Sequence, residues 1–502
     1  MKKNHLIPNA FILLSAQALL PSYLHAEESA ETRIKALEAK VQQLIEQRAE
    51  QDKQLDLLSK ELAGISQQAK QTKISKSEEK GKSKGNPVVA NTKNGLSIED
   101  GSGDWNLQIN GRIQSEYRSY RPDDWKNDTW TIRRARLGGT YNFLNDFSVR
   151  IEGEYANESI GAKATTALTY GYLDFTRWKG AKIRVGQFKP YFGLERSYSS
   201  NFTDFTELSL ATNNGAVFTS SYDRGIMVFG DPLSWLNYNV YAVNGSGQNN
   251  DDARDSKDLG ARVNANLAEL MGVKNSVIHF GASLSDGNIG FTTSTGHTLT
   301  QVSEGNGATF FSVSNVLTTG APSSYSQFKS DRSRAGLEAA LAYGPIKLQS
   351  ELIHANLEGQ KQATTGSATQ VPFDNSITAW YADLNWLLTG EQYAESYKSG
   401  VFGRIKPKAN FTDKAGLGAW ELGLRYSHYD ASDFQSLLTT ASASSSYTSE
   451  ASAWTGGVKW IMNPNARILL NYIQTDYNNA ITLNSKADDK EKAIVMRAQY
   501  DF

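Results

Sequence analysis

Apolar and polar residues alternate with a period of two from about residue 104 to the end of the chain. The segment 105–117 shows this most clearly, because its odd-numbered positions are mostly apolar or aromatic while its even-numbered positions are polar or charged. The same alternation recurs in later segments: 147–155, 259–267, 335–343, 420–427 and 494–502. Side chains along a β-strand point alternately to the two faces of a sheet, so the pattern predicts strands with one apolar and one polar face.

These predicted strands are too long for a soluble β-sandwich. Each apolar row covers about ten residues and ends in aromatic side chains, whereas strands of soluble sandwiches average about five or six residues. Rows of that length with aromatic ends are typical of strands that cross an apolar layer about 25 Å thick. Inside lipid every backbone N–H and C=O group needs an internal partner, which strands obtain only in a closed barrel.

The fold class predicted for residues 100–502 is therefore all-β: a transmembrane, antiparallel, up-and-down β-barrel. At about 25 residues per strand with its connections, this length allows about 16 strands. Short breaks at 142–146, 178–180 and 463–465 suit the periplasmic end, and the long polar stretches 285–326 and 431–452 suit the external end. A barrel of this size encloses water, so the polar rows are expected to face an aqueous lumen.

The N-terminal region has a different pattern. Residues 1–26 combine Lys2 and Lys3 with a short apolar run and a small residue at Ala26, which predicts a secretory signal peptide. An N-terminal anchor helix is the alternative. Export together with the barrel places the protein in the outer membrane of a Gram-negative cell.

Residues 27–70 carry apolar residues spaced alternately by three and four, from Ile34 to Ile65, with Arg48 and Gln51 in the middle layers. This heptad pattern predicts a short α-helical coiled coil in the periplasm, and hence an oligomer. A single amphipathic helix on the protein's own surface is the alternative. Residues 71–99 are mostly polar and rich in lysine at first, which predicts a flexible linker to the barrel.

Overall composition hides the organisation of the barrel. The chain of 502 residues has 52 Lys and Arg against 53 Asp and Glu and a mean hydropathy of −0.48, which taken alone suggests a neutral soluble protein. On the predicted inward faces, however, basic residues outnumber acidic ones. The neutral total gives no general reason to bind nucleic acid, and none is expected as a partner.

Enzymatic chemistry finds little support in the sequence. The absence of cysteine excludes disulfides, thiolate metal sites and thiol nucleophiles. The phosphate-loop, zinc-protease and nucleophile-elbow motifs are missing, and the histidines show no ligand spacing, so no enzyme, cofactor or metal is predicted. An enzymatic barrel such as a lipase is disfavoured for the same reason. Asp251, Asp252, Asp255 and Asp258 are expected to form a solvated acidic loop rather than a calcium site.

Particular segments resemble a known family. Residues 131–138 (TIRRARLG), 185–196 (VGQFKPYFGLER), 223–225 (DRG) and 497–502 (RAQYDF) are similar to the phosphate-selective porin O and P family, and the resemblance covers essentially the whole barrel. It implies a homotrimer of sixteen-stranded barrels, each with its own pore. It also implies that the third external loop folds inward to form a constriction, where a basic residue and serines bind the anion, and that an arginine ladder lines the wall.

Carried over by position, the resemblance assigns the constriction to Arg196, Ser199 and Ser200, with arginine where the family has lysine. Together with the alternation it assigns the pore-lining arginines: Arg112, Arg133, Arg134, Arg136 and Arg184. Arg133 has outward parity, so it is expected to serve only above the membrane layer or near a bulge. The sequence departs from the family at Glu207, where another basic residue is expected, and at 234–241, which lacks the later ladder arginines.

The function expected from these observations is that of a trimeric outer-membrane porin for passive diffusion of anions, with phosphate or polyphosphate as solute. Its expected partners are inorganic phosphate or other small anions, the lipid bilayer and two further copies of the chain. A general or differently selective porin of the same fold is the first alternative. The second is an envelope tether that binds peptidoglycan through the coiled coil.

Removal of residues 27–86 tests the tether hypothesis. We expect a tether to retain the full-length protein on purified peptidoglycan and to lose it after the deletion, because the contact would lie in the coiled coil and its basic linker. A peptidoglycan pull-down measures this, and equal retention of both proteins contradicts the hypothesis.

Overall fold

The computed structural model describes residues 42, 88–91, 96–101, 103–156, 166–250, 257–288, 297–317, 331–362, 370–411, 416–442 and 444–502. The chain divides into two compact units, 1–85 and 86–502. The predicted signal peptide, the coiled coil apart from residue 42, and the first part of the linker lie outside the described residues.

Before the barrel, the chain forms a short hairpin of β1 (Val88–Asn91) and β2 (Leu96–Asp100). Both strands fall in the segment predicted to be a linker. Its last part carries alternating apolar residues, among them Leu96 and Ile98, and Leu96 pairs with Ile109 of the first barrel strand. The hairpin thus gives backbone partners to the first residues of that strand, which precede its pairing with the last barrel strand.

Sixteen antiparallel strands form a closed barrel, as predicted. In chain order, the first nine are β3 (Trp105–Arg121), β4 (Thr129–Phe143), β5 (Phe147–Glu154), β6 (Ala167–Phe175), β7 (Lys182–Phe188), β8 (Asp223–Leu233), β9 (Leu236–Val243), β10 (Asp258–Asn266) and β11 (Ser276–Asn288). After an inward hairpin, β12 (His297–Val302) and β13 (Thr309–Leu317), the barrel continues with β14 (Asp331–Tyr343), β15 (Ile346–Gln362) and β16 (Gln370–Leu387). The small hairpin of β17 (Tyr397–Lys398) and β18 (Val401–Phe402) follows. The last four barrel strands are β19 (Ala419–Asp430), β21 (Glu450–Ile461), β22 (Ala466–Leu483) and β23 (Lys486–Asp501). The two-residue strand β20 (Ser445–Ser446) pairs with β22.

Closure comes from pairing of the last strand with the first. Lys492 of β23 lies opposite Arg121 of β3, and the register runs without a break to Asp501 opposite Arg112. Five further strands, β1, β2, β12, β13 and β20, attach to the same hydrogen-bonded sheet without belonging to the cylinder. The described helices are short: α1 (Leu267–Leu270) and the 3₁₀ turns Glu195–Ser197, Tyr393–Ser396 and Ser432–Leu437. No helix among the described residues has the length and apolarity needed to cross a bilayer.

The predicted alternation of faces is confirmed. On β23, Ile494, Met496 and Tyr500 are exposed on the outer surface, whereas Val495 and Arg497 are buried on the inner one. A continuous row of aromatic rings follows the ends of β3–β7 beside the short turns. The rings run in the order Trp105, Tyr141, Phe143, Phe147, Phe175 and Trp178, with successive centroids 5.3–6.1 Å apart. Such a belt suits the boundary between lipid and water.

The predicted breaks also connect barrel strands as expected. Residues 142–146, 178–180 and 463–465 lie at turns between neighbouring strands at one end of the barrel, the turn side. The described parts of the long stretches, which include residues 297–317 and 431–442, come from the opposite end, the loop side, between β11 and β14 and between β19 and β21.

Three segments of the described chain fold into the lumen, and only one was expected. The constriction loop, residues 189–222, joins β7 to β8 and confirms the expected inward loop. The inward hairpin, residues 297–317, comes from the loop between β11 and β14. The turn-side segment, residues 388–411 and 416–418, belongs to the connection between β16 and β19, at the end where short turns were expected.

These segments bury apolar side chains inside the barrel. On the loop side, Phe218, Phe310, Phe311 and Tyr429 belong to one cluster. On the turn side, Leu194 and Tyr198 of the constriction loop pack with Tyr393 and Phe402 of the turn-side segment. The predicted aqueous lumen does not extend along every inward row, because inward positions near these segments, such as Ile353 and Ile377, belong to a buried apolar cluster.

Candidate functional site

The constriction loop is anchored to the barrel wall where it turns inward. Gly193 has a φ of +66°, and a Cβ atom there would lie 2.2 Å from Oε2 of Glu351 on β15. This close approach lets the Glu351 carboxylate accept the backbone N–H groups of Leu194 at 2.8 Å and Glu195 at 2.6 Å. A wall carboxylate thus fixes the start of the 3₁₀ turn that carries Glu195 and Arg196.

One arginine of the wall joins two of the inward segments. The Arg425 guanidinium on β19 is fully buried and donates to Asp383 on β16 at 2.8 Å. It also pairs with Glu195 of the constriction loop at 2.5 Å and approaches Glu304 of the inward hairpin at 3.6 Å. Because a buried charge is costly without an opposite charge, these contacts hold both segments against the wall.

A second arginine group surrounds Glu207, the position where the sequence departs from the family. The Glu207 carboxylate bonds to Arg118, lies 3.3 Å from Arg133 and lies 4.0 Å from Arg497. Glu116 completes this closed cluster by accepting from Arg118 at 2.7 Å and from Arg497 at 2.5 Å. Three arginines converge on the loop here, so a carboxylate satisfies them where another basic residue would repel them.

The inward position of Arg133 comes from a β-bulge. Gln114 of β3 pairs with Arg134, but the next residue, Ser115, pairs with Ile132, so Arg133 is the extra residue. A bulge reverses the facing of its extra residue, and Arg133 is buried inside the barrel. The sequence predicted that Arg133 could face the pore only above the membrane layer or near a bulge, and a bulge is present at this residue.

The strands β3–β5 carry a third group, the four-arginine cluster: Arg112, Arg134, Arg136 and Arg150 with Glu152 and Glu154. The Glu152 carboxylate lies 2.7 Å from Arg150, 3.5 Å from Arg136 and 3.8 Å from Arg112. Glu154 accepts from Arg136 at 2.6 Å. Three of the four guanidinium groups thus contact these two carboxylates, and Arg134 donates to the side-chain oxygen of Gln114 at 2.9 Å.

This cluster meets the constriction loop at Ser200. Arg112 donates to the Ser200 hydroxyl at 2.6 Å, and Gln114 donates to the Ser200 carbonyl at 3.0 Å. Arg134, Arg136 and Ser200 line a cavity of about 40 Å³, with Glu195 and Glu207 also on its boundary. The space suits a few water molecules or one small ion.

The other predicted residues lie elsewhere. Arg196 is 4% exposed, packs on the Phe218 ring at 4.2 Å and donates to the carbonyls of Thr212 and Ser220, each at 2.7 Å. Ser199 is exposed on the constriction loop. The structure therefore brings together Arg112, Arg134, Arg136 and Ser200, while the anion-binding role of Arg196 and Ser199 stays a prediction.

Arg184 is also separate from the cluster. It forms a two-pronged ion pair with Asp174 at 2.7 and 2.8 Å and stacks on the Tyr172 ring at 3.8 Å. A guanidinium held this way has both a charge partner and a ring, so it contributes less to the charge of the lumen than its position suggests.

The ion pairs made by the acidic residues of the inward segments were not foreseen from the sequence. Glu195, Asp204, Glu207 and Glu304 all pair with wall cations; Asp204, for example, accepts from Lys347 at 2.6 Å. Strand periodicity assigns faces only within strands, so it places no loop carboxylate. Among the described residues, no group of three or more acidic or histidine side chains is arranged to hold a metal ion.

Comparison with known proteins decides the family. The family model of the phosphate-selective porins O and P matches residues 107–502, most of the chain and nearly all of the barrel. The chain belongs to this family. It is accordingly an outer-membrane porin and not an enzyme, as the sequence predicted.

The chain is also similar to individual proteins and solved structures. The porin is 27% identical over 446 residues to Porin O of Pseudomonas aeruginosa, covering 83% of this chain and 93% of that one. Among solved structures, the outer-membrane channel DcaP of Acinetobacter baumannii is 12% identical with a TM-score of 0.47, covering 80% of this chain and 99% of that one. OmpT of Vibrio cholerae in its trimer form is 12% identical with a TM-score of 0.44, covering 79% and 99%.

Replacement of Glu207 by glutamine tests the closed cluster of this porin. We expect Glu207→Gln to destabilise the constriction loop by about 3–5 kcal/mol, because it leaves Arg118, Arg133 and Arg497 buried with one carboxylate fewer. The thermal midpoint in detergent should fall and the single-channel conductance should rise as the loop leaves the wall. Glu269→Gln, on the exposed helix α1, is the control, and an unchanged midpoint and conductance in Glu207→Gln would contradict this account.

Proposed function

We propose that this porin conducts small anions by passive diffusion, with inorganic phosphate among its solutes. The observation that carries the proposal is the four-arginine cluster, which concentrates Arg112, Arg134, Arg136 and Arg150 on the inner face of β3–β5. The cluster contacts the constriction loop at Ser200, so a solute that passes this part of the loop meets several guanidinium groups. A local field of this sign raises the concentration of anions and lowers that of cations.

Arginine suits phosphate because its planar guanidinium donates two hydrogen bonds to two oxygens and keeps its charge at any physiological pH. Arg112 already donates to the Ser200 hydroxyl, so a phosphate oxygen that replaces this contact keeps the arginine satisfied. The hydroxyl itself can donate to the anion. Arg112 and Ser200 together thus form a candidate first contact on the constriction loop.

The two carboxylates keep such binding weak. Glu152 contacts Arg112, Arg136 and Arg150, so a phosphate ion has to compete with a resident negative charge for the same donors. Weak binding is what a channel requires, because a solute held tightly at one site leaves it slowly.

A porin of the same fold with weak or different selectivity is the second candidate. The observation that favours it is the pairing of cations elsewhere in the lumen: Arg184 with Asp174, Arg262 with Glu338 and Lys459 with Glu421, all within 2.8 Å. Neutralised pairs of this kind do not discriminate by charge, so selectivity depends on how much of the ion path lies beside the four-arginine cluster.

The proposal also includes assembly and position in the envelope. We place residues 27–99 in the periplasm and three barrels side by side in the outer membrane, supported by the heptad pattern of residues 34–65 and by the family. The tether to peptidoglycan remains a further hypothesis on the same N-terminal region.

Phosphate block of chloride current tests the site. We expect phosphate to reduce the chloride conductance of the purified porin in planar bilayers, and Arg112→Gln to weaken the block about tenfold, since a charge-assisted hydrogen bond is worth about 1.5–3 kcal/mol. Arg177→Gln, at an exposed turn, is the matched control. No phosphate block in the unaltered porin, or equal block in Arg112→Gln, overturns the proposal.

The same assay separates the two candidate contacts. Arg196→Ala should weaken the block little, because the Arg196 guanidinium is engaged by two backbone carbonyls and a ring. Loss of the phosphate block in Arg196→Ala, together with full block in Arg112→Gln, would instead indicate that phosphate binds at Arg196, as the resemblance implies.

A further inference from the structure

A second cavity lies on the turn side of the constriction loop. Its volume is about 150 Å³, and it is enclosed by the barrel wall, the constriction loop and the turn-side segment. Its lining includes Lys182, Phe229 and Asn237 from the wall, Tyr191 from the constriction loop and Val401 from the turn-side segment. None of these residues belongs to the four-arginine cluster.

The boundary of this cavity is largely apolar. Phe229, Tyr191 and Val401 are among the residues that line it. A cavity of about 150 Å³ with apolar walls accommodates one benzene ring. Inorganic phosphate has no apolar surface to bury against the apolar walls of the cavity. These walls therefore indicate a solute with a ring or a compact hydrocarbon body.

The cavity also offers one available cation. Lys182 projects inward from β7, half-buried, with its Nζ 5.9 Å from the Phe229 ring centroid. No carboxylate among the described residues lies within ion-pair distance of it. A lysine in this setting can pair with the charge of a solute without first giving up a resident partner.

The remaining charges at the cavity are already engaged. Asp231 accepts from Asn237 at 2.9 Å and from Ser399 at 3.0 Å. Arg262 pairs with Glu338 at 2.7 Å and donates to the Gly400 carbonyl at 2.9 Å. Because Asp231 repels a second negative charge nearby, the cavity suits a solute with a single negative charge.

The neighbouring wall supports the same choice. The inward side chains of β9 are Asn237, Asn239, Tyr241 and Val243, all uncharged. Along this strand a solute meets amide and apolar groups rather than a succession of cations. Phosphate and polyphosphate find no cationic partner along β9, whereas an apolar ring can pack against its uncharged side chains.

We propose that this cavity binds one aromatic monocarboxylate of the size of benzoate, with its ring against Phe229 and Tyr191 and its carboxylate on Lys182. The proposal rests on the proposed function for the route of the anion into the lumen, and it adds a substrate class to that function. Binding here is reversible and involves no covalent step.

Current block by benzoate tests the cavity in the full-length porin. We expect benzoate to block chloride current in planar bilayers at lower concentration than acetate, which has the same charge and no ring. Lys182→Gln should weaken the benzoate block about tenfold, since it removes the charge partner of the carboxylate. Lys274→Gln, at an exposed turn outside the cavity, is the matched control.

A second variant keeps the test independent of the lysine. Phe229→Leu retains an apolar side chain but removes the ring, so it should weaken the benzoate block severalfold and leave acetate unchanged. Equal block by benzoate and acetate in the unaltered porin overturns the proposal, as does undiminished benzoate block in both variants.

The outcomes also separate this proposal from the proposed function. Phosphate block that depends on Arg112, with benzoate no better than acetate, overturns the cavity alone. Benzoate block that depends on Lys182, with no phosphate block, overturns the proposed function alone.

Discussion

The interior of this porin is organised by the need of buried charges for opposite charges. A guanidinium or carboxylate removed from water loses several kcal/mol of solvation, which only a close, hydrogen-bonded partner offsets. Arg425 obtains its partners from the wall and from two inward segments, and Glu207 of the constriction loop obtains its partners from three strands. The inward segments are thus positioned by the same charges that line the wall.

This constraint divides the cations of the lumen into two functional kinds. Where the inward segments supply enough carboxylates, as around Arg425 and Glu207, the arginines hold the architecture. On β3–β5 the arginines instead contact the constriction loop through Ser200, and this is the cluster that we propose to act on solutes. The carboxylate at position 207 belongs to the group that holds the loop and not to the cluster that we propose to select anions.

The sequence predicted much of the barrel and part of the site. A period of two over long strands gave the closed barrel, its turns and the inward facing of Arg112, Arg134 and Arg136, since strand geometry ties parity to facing. Arg133 could be placed only conditionally, because a bulge depends on pairing with the neighbouring strand. The inward hairpin, the turn-side segment and their carboxylates were not predictable, because their positions depend on long-range contacts with the wall that no local periodicity encodes.

The central proposal is that the arginines of the four-arginine cluster make the pore prefer anions. It is tested most directly by the zero-current potential of the purified porin in a planar bilayer with a gradient of potassium chloride. The account predicts a potential with the sign set by chloride, reduced toward zero when Arg134 and Arg150 are replaced together by glutamine. A potential with the sign set by potassium in the unaltered porin would contradict it.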